Sequence, residues 1–381
     1  MVTILAIGAI QALFFSLILL NKKSKTWSDK ILSFWLFVLF IQISANFLES
    51  SGYYDRYPHL IGSSSSLVFL YGPLLYFYAK TYVSSTWSFK KIHLLHLIPF
   101  LFYNIVFIPF YVMSASDKLY YYQEVLTTDP PVFVIVALIT KTISIPVYIV
   151  WTLILLKNHG ENIKNYFSSV EKIDLKWLKY LVWSMGIVAV VILLSAVIKV
   201  NTNFTMAFQS EKYIFSAASL WVFGLGYYGL KQTPVFTNVG QSNMLNEFTT
   251  TKYEKNKLKE SDAESYEESL FQFMDKEQPF LRNKITLVQL ASEINISTHH
   301  LSQLLNERLD QNFFNFINEY RVAEVKKRLG NPKYKNLTIL GIAFDCGFNS
   351  KAAFNRIFKK HTGLTPSTYL RNQKTGEKHA T

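Results

Sequence analysis

The sequence predicts an all-α protein: a bundle of seven transmembrane helices over residues 1–230, a polar linker over 231–263, and a small cytoplasmic domain over 264–381. Three observations predict it. Seven apolar stretches long enough to cross a bilayer fill the first part. Charge is unevenly divided, with 17 Lys/Arg and 10 Asp/Glu before residue 231 but 22 and 16 after it. A pattern of short apolar helix, turn and second helix occurs twice near the C-terminus. The composition agrees. Half of the 381 residues are hydrophobic and only 17% are charged, against roughly 25% in a soluble domain. The single cysteine, Cys346, excludes an intrachain disulfide and a Cys-based zinc site.

The apolar stretches run over 3–20, 31–48, 60–79, 92–112, 132–156, 178–198 and 213–230. A hydrocarbon core of about 30 Å takes roughly 17–25 helical residues to cross. The first stretch has no basic residues before it and several after it, so it reads as a transmembrane helix rather than a signal peptide. The third contains Ser63 to Ser66 and Gly72-Pro73, which neighbouring helices must support. Loop charge sets the orientation. The loops after the first, third and fifth stretches hold 12 lysines, from Lys22 to Lys179. The loops after the second, fourth and sixth hold 4 basic residues: Arg56, Lys118, Lys199 and Lys212. Basic loops face the cytoplasm, so the N-terminus is expected outside and the C-terminal domain inside.

Lys141 lies near the middle of the fifth stretch, five residues before Pro146. A central lysine costs about 2.5–3.5 kcal/mol to insert, so it should face the bundle interior and have a partner. Two roles are open: a functional one, as counter-ion for an acidic ligand or as a switch element, and a structural one, as a lysine that pairs with a carbonyl or carboxylate or snorkels. His93 and His96, three apart, share a helix face. A structural role near the inner interface outweighs half a metal site there, because no carboxylate or cysteine accompanies them.

In the C-terminal part, Tyr266, Leu270, Phe271 and Met274 recur at helical spacing within 247–277, as in an amphipathic helix capping the next domain. From Arg282 onward the chain carries 16 Lys/Arg and 7 Asp/Glu, a balance that favours an anionic partner, nucleic acid or the inner leaflet. The repeat pairs 287–297 with 339–349. Ala291 matches Ala343, Asn295 matches Gly347, and Ile296 matches Phe348. Asn and Gly are residue types that tolerate positive φ in a turn. Thr286 and Gln289 form a capping box, while Ser297 and Asn349 are expected N-caps. Leu301, Leu304 and Leu305 should face the core, with His299, Ser302, Gln303 and Asn306 outward. In the second copy Phe354, Ile357 and Phe358 are the core stripe, and Ala352, Asn355, Arg356 and Lys359 the outer one. A helix that is apolar behind and rich in hydrogen-bonding groups in front can dock in a major groove. The units span about 287–307 and 339–360. Between them Phe313 to Leu329 reads as one helix of about 25 Å, able to set the recognition helices roughly one DNA turn, about 34 Å, apart.

Here the sequence resembles the AraC/XylS transcription regulators. The residues that carry the resemblance are Ile342-Ala343, Gly347-Phe348, Phe354-x-Arg356-x-Phe358-Lys359-Lys360 and Gly363-x-Thr365-Pro366-Ser367-x-Tyr369-x-Arg371. The resemblance implies a double helix-turn-helix DNA-binding domain. It places base-reading positions at His299, Ser302 and Gln303, then at Lys351, Ala352, Asn355 and Arg356. Lys359 and Lys360 are expected on phosphates. Gly341 departs from the family's frequent acidic residue, at a cost of about 1 kcal/mol in helix propensity. Ala352 offers only a methyl contact. The segments Leu70-Tyr71-Gly72-Pro73-Leu74 and His96-Leu97-Ile98-Pro99-Phe100 resemble a subgroup in which this domain follows a multi-helix membrane region.

The implied function is a membrane-embedded, one-component transcription regulator rather than an enzyme. Its implied partners are double-stranded DNA, the lipid bilayer, a small-molecule or peptide signal, and RNA polymerase; no cofactor or metal is implied. The alternatives are a transporter or enzyme with a regulatory DNA-binding tail, and a passively anchored regulator. In a tethered regulator, the signal is expected to reach DNA through 247–277 alone.

Overall fold

The computed structural model describes residues 1–84, 87–126, 130–171, 173–202, 206–231 and 260–378, and no strand occurs among them. Residues 232–259, most of the expected linker, lie outside the described residues, as does Lys172. The chain divides into two compact units: 1–157 with 175–246, and 158–174 with 247–381. This division assigns 158–174, expected as a loop of the membrane part, to the C-terminal unit.

The first unit begins with α1 (Val2–Leu20) and α2 (Trp27–Ser50). Thr26 starts α2: its hydroxyl accepts from the Asp29 amide, and Asp29 accepts from the Thr26 amide, so two otherwise orphaned donors are satisfied. The two helices are pinned where the Ser16 hydroxyl donates to the Ser33 carbonyl at 2.9 Å and the Ser33 hydroxyl donates to the Ser16 carbonyl at 2.8 Å. After short turns at Pro58–Leu60 and Ser65–Leu67 comes α3 (Val68–Val83). The serine run therefore falls at the entrance to a helix, not within one.

The fourth apolar stretch is not one helix. It is a 3₁₀ segment, Lys91–Leu97, followed by α4 (Ile98–Val106) and a further short helix, Ile108–Tyr111. Pro99 and Pro109 explain the breaks. Each lacks an amide proton and occupies the first turn of a new helix, where none is needed. The fifth, α5 (Val132–Tyr166), continues ten residues past the expected end. Then follow α6 (Lys176–Thr202) and α7 (Met206–Lys231). Among the described residues, four segments are long and apolar enough to cross a membrane: Val2–Leu20, Trp27–Ser50, Pro58–Val83 and Val132–Tyr166. Leu5, Leu36, Ile43 and Tyr78 form part of a common core with Val222 and Leu225 of α7.

The second unit is α8 (Glu260–Glu277), α9 (Leu287–Glu293), α10 (Thr298–Gln303), α11 (Phe313–Leu329), α12 (Ile339–Asp345), α13 (Lys351–Thr362) and α14 (Pro366–Lys378). Leu270 and Met274 of α8 are fully buried, with Tyr266 and Phe271 packed beside them. The apolar face legible at 247–277 thus docks on this unit, from Glu260 onward. The central helix α11 has the expected bounds. Asn312 caps it by accepting from the Asn315 amide at 2.9 Å.

Candidate nucleic-acid interface

The first helix pair is α9 and α10. Thr286 and Gln289 make the capping box that opens α9, with the Thr286 amide donating to Gln289 at 3.0 Å. Asn295 turns the chain at φ +56, and Ser297 caps α10 by accepting from the His300 amide. Leu301, Leu304 and Leu305 are buried. After Gln303 the helix widens into a π turn, Leu304–Arg308.

Adjacent histidines on α10 divide between surfaces. His299 is exposed, whereas His300 stacks on Tyr266 of α8 at 5.7 Å between ring centroids. Arg308 joins the π turn to α8 through Glu260 at 2.6 Å and through Glu267. Arg282 is paired with Glu293 at the end of α9, and its guanidinium holds that carboxyl below the usual carboxylate range. Of the other expected readers, Ser302 and Gln303 are half-buried. Gln303 donates to Glu307 at 2.9 Å, and Asn306, though exposed, turns back onto the Ser302 carbonyl at 2.8 Å.

The second pair is α12 and α13. Thr338 caps α12 through the Gly341 amide at 3.0 Å. Gly347 makes the turn at φ +89, and Cys346 beside it is buried, its thiol pushed up to about 12 by burial. The cap of α13 is Ser350, not Asn349: the Ser350 hydroxyl accepts from the Ala353 amide at 3.1 Å. The second copy has one more residue after its turn, so the cap moves one place along. Asn349 is released to donate to the Asn283 carbonyl at 2.8 Å and the Ser169 hydroxyl at 2.7 Å.

Phe354, Ile357 and Phe358 are buried, whereas Lys351, Ala352, Asn355, Arg356, Lys359 and Lys360 are exposed. This exposed face of α13 carries four cations and no carboxylate. Lys360 also reaches Asn315 of α11 at 3.1 Å.

With this geometry in place, the comparisons with known proteins decide the family. A profile for the helix-turn-helix domain matches residues 290–372, which include α10 through most of α14. The probable transcription factor PqrA of Proteus vulgaris is 30% identical over 95 residues, covering 25% of this chain and 75% of that protein. The chain belongs to the helix-turn-helix domain family. An uncharacterised helix-turn-helix-type transcriptional regulator of Staphylococcus aureus (strain COL) is 36% identical over 85 residues, or 22% of this chain. The chain spans only 11% of the length of that relative. A solved structure of a Listeria innocua protein of unknown function is 29% identical, covering 27% of this chain and 93% of that one, with a TM-score of 0.24.

The helix-turn-helix domain also depends on residues that the repeat does not reveal. Asn318 and Arg321 of α11 are buried polar groups at 1% exposure each. They follow Phe314 at i+4 and i+7, so they interrupt the buried stripe of an otherwise amphipathic helix. That interruption is the signal in the sequence that marks them.

In the first unit, Lys141 is half-buried and does have a partner. Its ammonium donates to the Tyr103 hydroxyl at 3.2 Å and sits 4.4 Å from that ring's centroid. A phenol is thus among the partners of this lysine. His93 and His96 both pack on Phe77, at 5.1 and 5.0 Å between ring centroids, but bond different partners: the first accepts from the Lys90 amide and stacks on Trp87, and the second bonds the Tyr148 hydroxyl at 2.6 Å. Tyr148 also closes over Gly72, where a Cβ would lie 2.3 Å from the ring. The two segments with a membrane-subgroup resemblance, 70–74 and 96–100, therefore meet on one tyrosine. Among the described residues, no three His, Cys, Asp or Glu side chains are grouped to hold a metal.

Proposed function

We propose that this chain is a membrane-embedded transcription regulator that binds promoter DNA through two helix-turn-helix units, under the control of a signal received by its apolar helices. The observation that carries this is the pairing in α13 of a buried aromatic stripe with an exposed basic face, behind a positive-φ turn. The first pair has the same plan, with Asn295 in place of Gly347 and His299 leading its outer face. Recognition helices docked side by side on one face of a duplex read two half-sites about one turn apart.

The membrane assignment rests on the four long apolar segments and on what α5 exposes. Val136, Ile139, Ile143, Val150 and Ile154 are all more than half exposed, at 51–55%. Surface of that kind is stable in hydrocarbon and costly in water. With the basic-loop bias, it favours an N-terminus outside and the DNA-binding unit in the cytoplasm. Lys141 with Tyr103 is the proposed sensing position, because a charge held in an apolar helix responds to an arriving anion. A passive anchor is the competing account.

Base-selection experiments test the DNA-reading faces. Arg356→Ala should cost about 1–3 kcal/mol at one base position and relax selection there. Lys359→Ala should weaken binding to all sequences alike and lower the salt slope by about one. An unchanged selected motif in Arg356→Ala overturns the reader assignment. Lys141→Met separates sensor from anchor. It should fix transcriptional output on or off while leaving DNA binding intact, and normal regulation in that variant favours the passive anchor.

A further inference from the structure

Residues 158–174, the end of α5 and the turn that leads to α6, belong to the helix-turn-helix unit. Ser168 is 1% exposed and lies at the centre. Its amide and its hydroxyl both donate to the Ile285 carbonyl, at 3.3 and 2.8 Å. Its carbonyl accepts from Asn318 at 3.1 Å and from Arg321 at 3.2 Å. Phe167 pairs with Thr286 as an isolated antiparallel bridge, and Val170 is buried at 6%.

Arg321 is what this strap completes. The guanidinium is buried, forms no ion pair among the described residues, and is lowered to about 10 by burial, against the opposing charge of Glu171. Its hydrogens go to the Phe280 carbonyl at 2.8 Å, the Arg282 carbonyl at 2.9 Å, Asn318 at 3.3 Å, and the Ser168 carbonyl and hydroxyl at 3.2 Å each. All five donors of the guanidinium fork are thereby used, two of them on the strap. The same knot touches both helix pairs. Phe280 and Arg282 lead into the first, and the Gly347 turn of the second lies against the Phe280 carbonyl and Arg321 Nε, where a Cβ would approach to 2.5 and 2.9 Å. Ser169 accepts from Asn349 at 2.7 Å, immediately before the α13 cap.

We infer that segment 158–174 is a clamp on the junction of the two helix pairs, and that the apolar helices act on DNA binding through it. This deepens the proposed function and rests on it. The expected sole route through 247–277 is thus joined by a second, covalently continuous with α5 and α6. If the strap shifts, a buried cation loses two acceptors, and the junction that fixes one helix pair against the other loosens. A duplex with both half-sites senses that junction; a duplex with one does not.

The test uses the full chain in lipid nanodiscs and the duplex it selects from a random library. Ser168→Ala should lower affinity for the two-half-site duplex about tenfold, since a hydrogen bond to a charged group is lost, and leave a single half-site within twofold. In a Cys346→Ala background, Ser169→Cys with Asn349→Cys should form a disulfide on oxidation, and that bridge should restore two-half-site affinity to the Ser168→Ala protein. Failure of the bridge to form, or equal loss on both duplexes, overturns the clamp while DNA binding stands. Absence of any selected sequence with the unaltered chain overturns the DNA-binding function itself, and the clamp with it.

Discussion

Gly347→Ala is expected to destabilise the C-terminal unit by about 2–6 kcal/mol, because two penalties of about 1–3 kcal/mol coincide. The first is backbone strain at φ +89. The second is steric, since the new methyl would lie 2.5 Å from the Phe280 carbonyl and 2.9 Å from the Leu281 carbonyl. Both contacts are backbone, so a side-chain rotation does not relieve them. Denaturant unfolding of the full chain, followed by a probe in this unit, measures the effect. The matching turn supplies the control. Asn295 has φ +56, and Asn295→Gly removes strain rather than adding it, so its effect should stay within about 1 kcal/mol.

Phe358→Ala has the second large effect. The side chain is 0% exposed and packs edge-on between Phe354 at 5.5 Å and Tyr369 at 5.4 Å. Truncating it should cost about 3–5 kcal/mol, freeing α14 from α13 and the basic face from its support. Binding to all duplexes should then fall in parallel with the fraction folded. Phe358→Leu should retain most of the stability, at a cost of about 1.5 kcal/mol or less. Equal destabilisation by the two substitutions contradicts this packing account.

Legibility in the sequence follows the range of the interaction. The Thr286 capping box, the Ser297 cap and both positive-φ turns depend on residues within four positions of one another, and the repeat exposed them. The buried stripes of α10 and α13 follow from helical period alone. The α13 cap was displaced by one residue, because Asn349 and Ser350 are both competent caps. Ser350 takes the cap because the second copy has one more residue after its turn, and Asn349 is then held by Asn283 and Ser169, 66 and 180 residues away in the chain. Arg321 and Ser168 lie 153 residues apart, a separation that no period or motif reports. The break in the fourth apolar stretch was accessible through Pro99 and Pro109, but composition alone made 92–112 look continuous. The Tyr103 partner of Lys141 was not, since a tyrosine among many aromatics carries no mark of its neighbour.

The central claim is that one chain both spans the membrane and reads DNA. The most direct measurement is a genome-wide occupancy map made from cross-linked cells, with the tagged full chain recovered from alkali-washed membranes. Discrete promoter sites that share a two-half-site motif, weakened at one position by Arg356→Ala, are the predicted result. Recovery of the chain in the soluble fraction, or from membranes with no sites above background, would contradict the account.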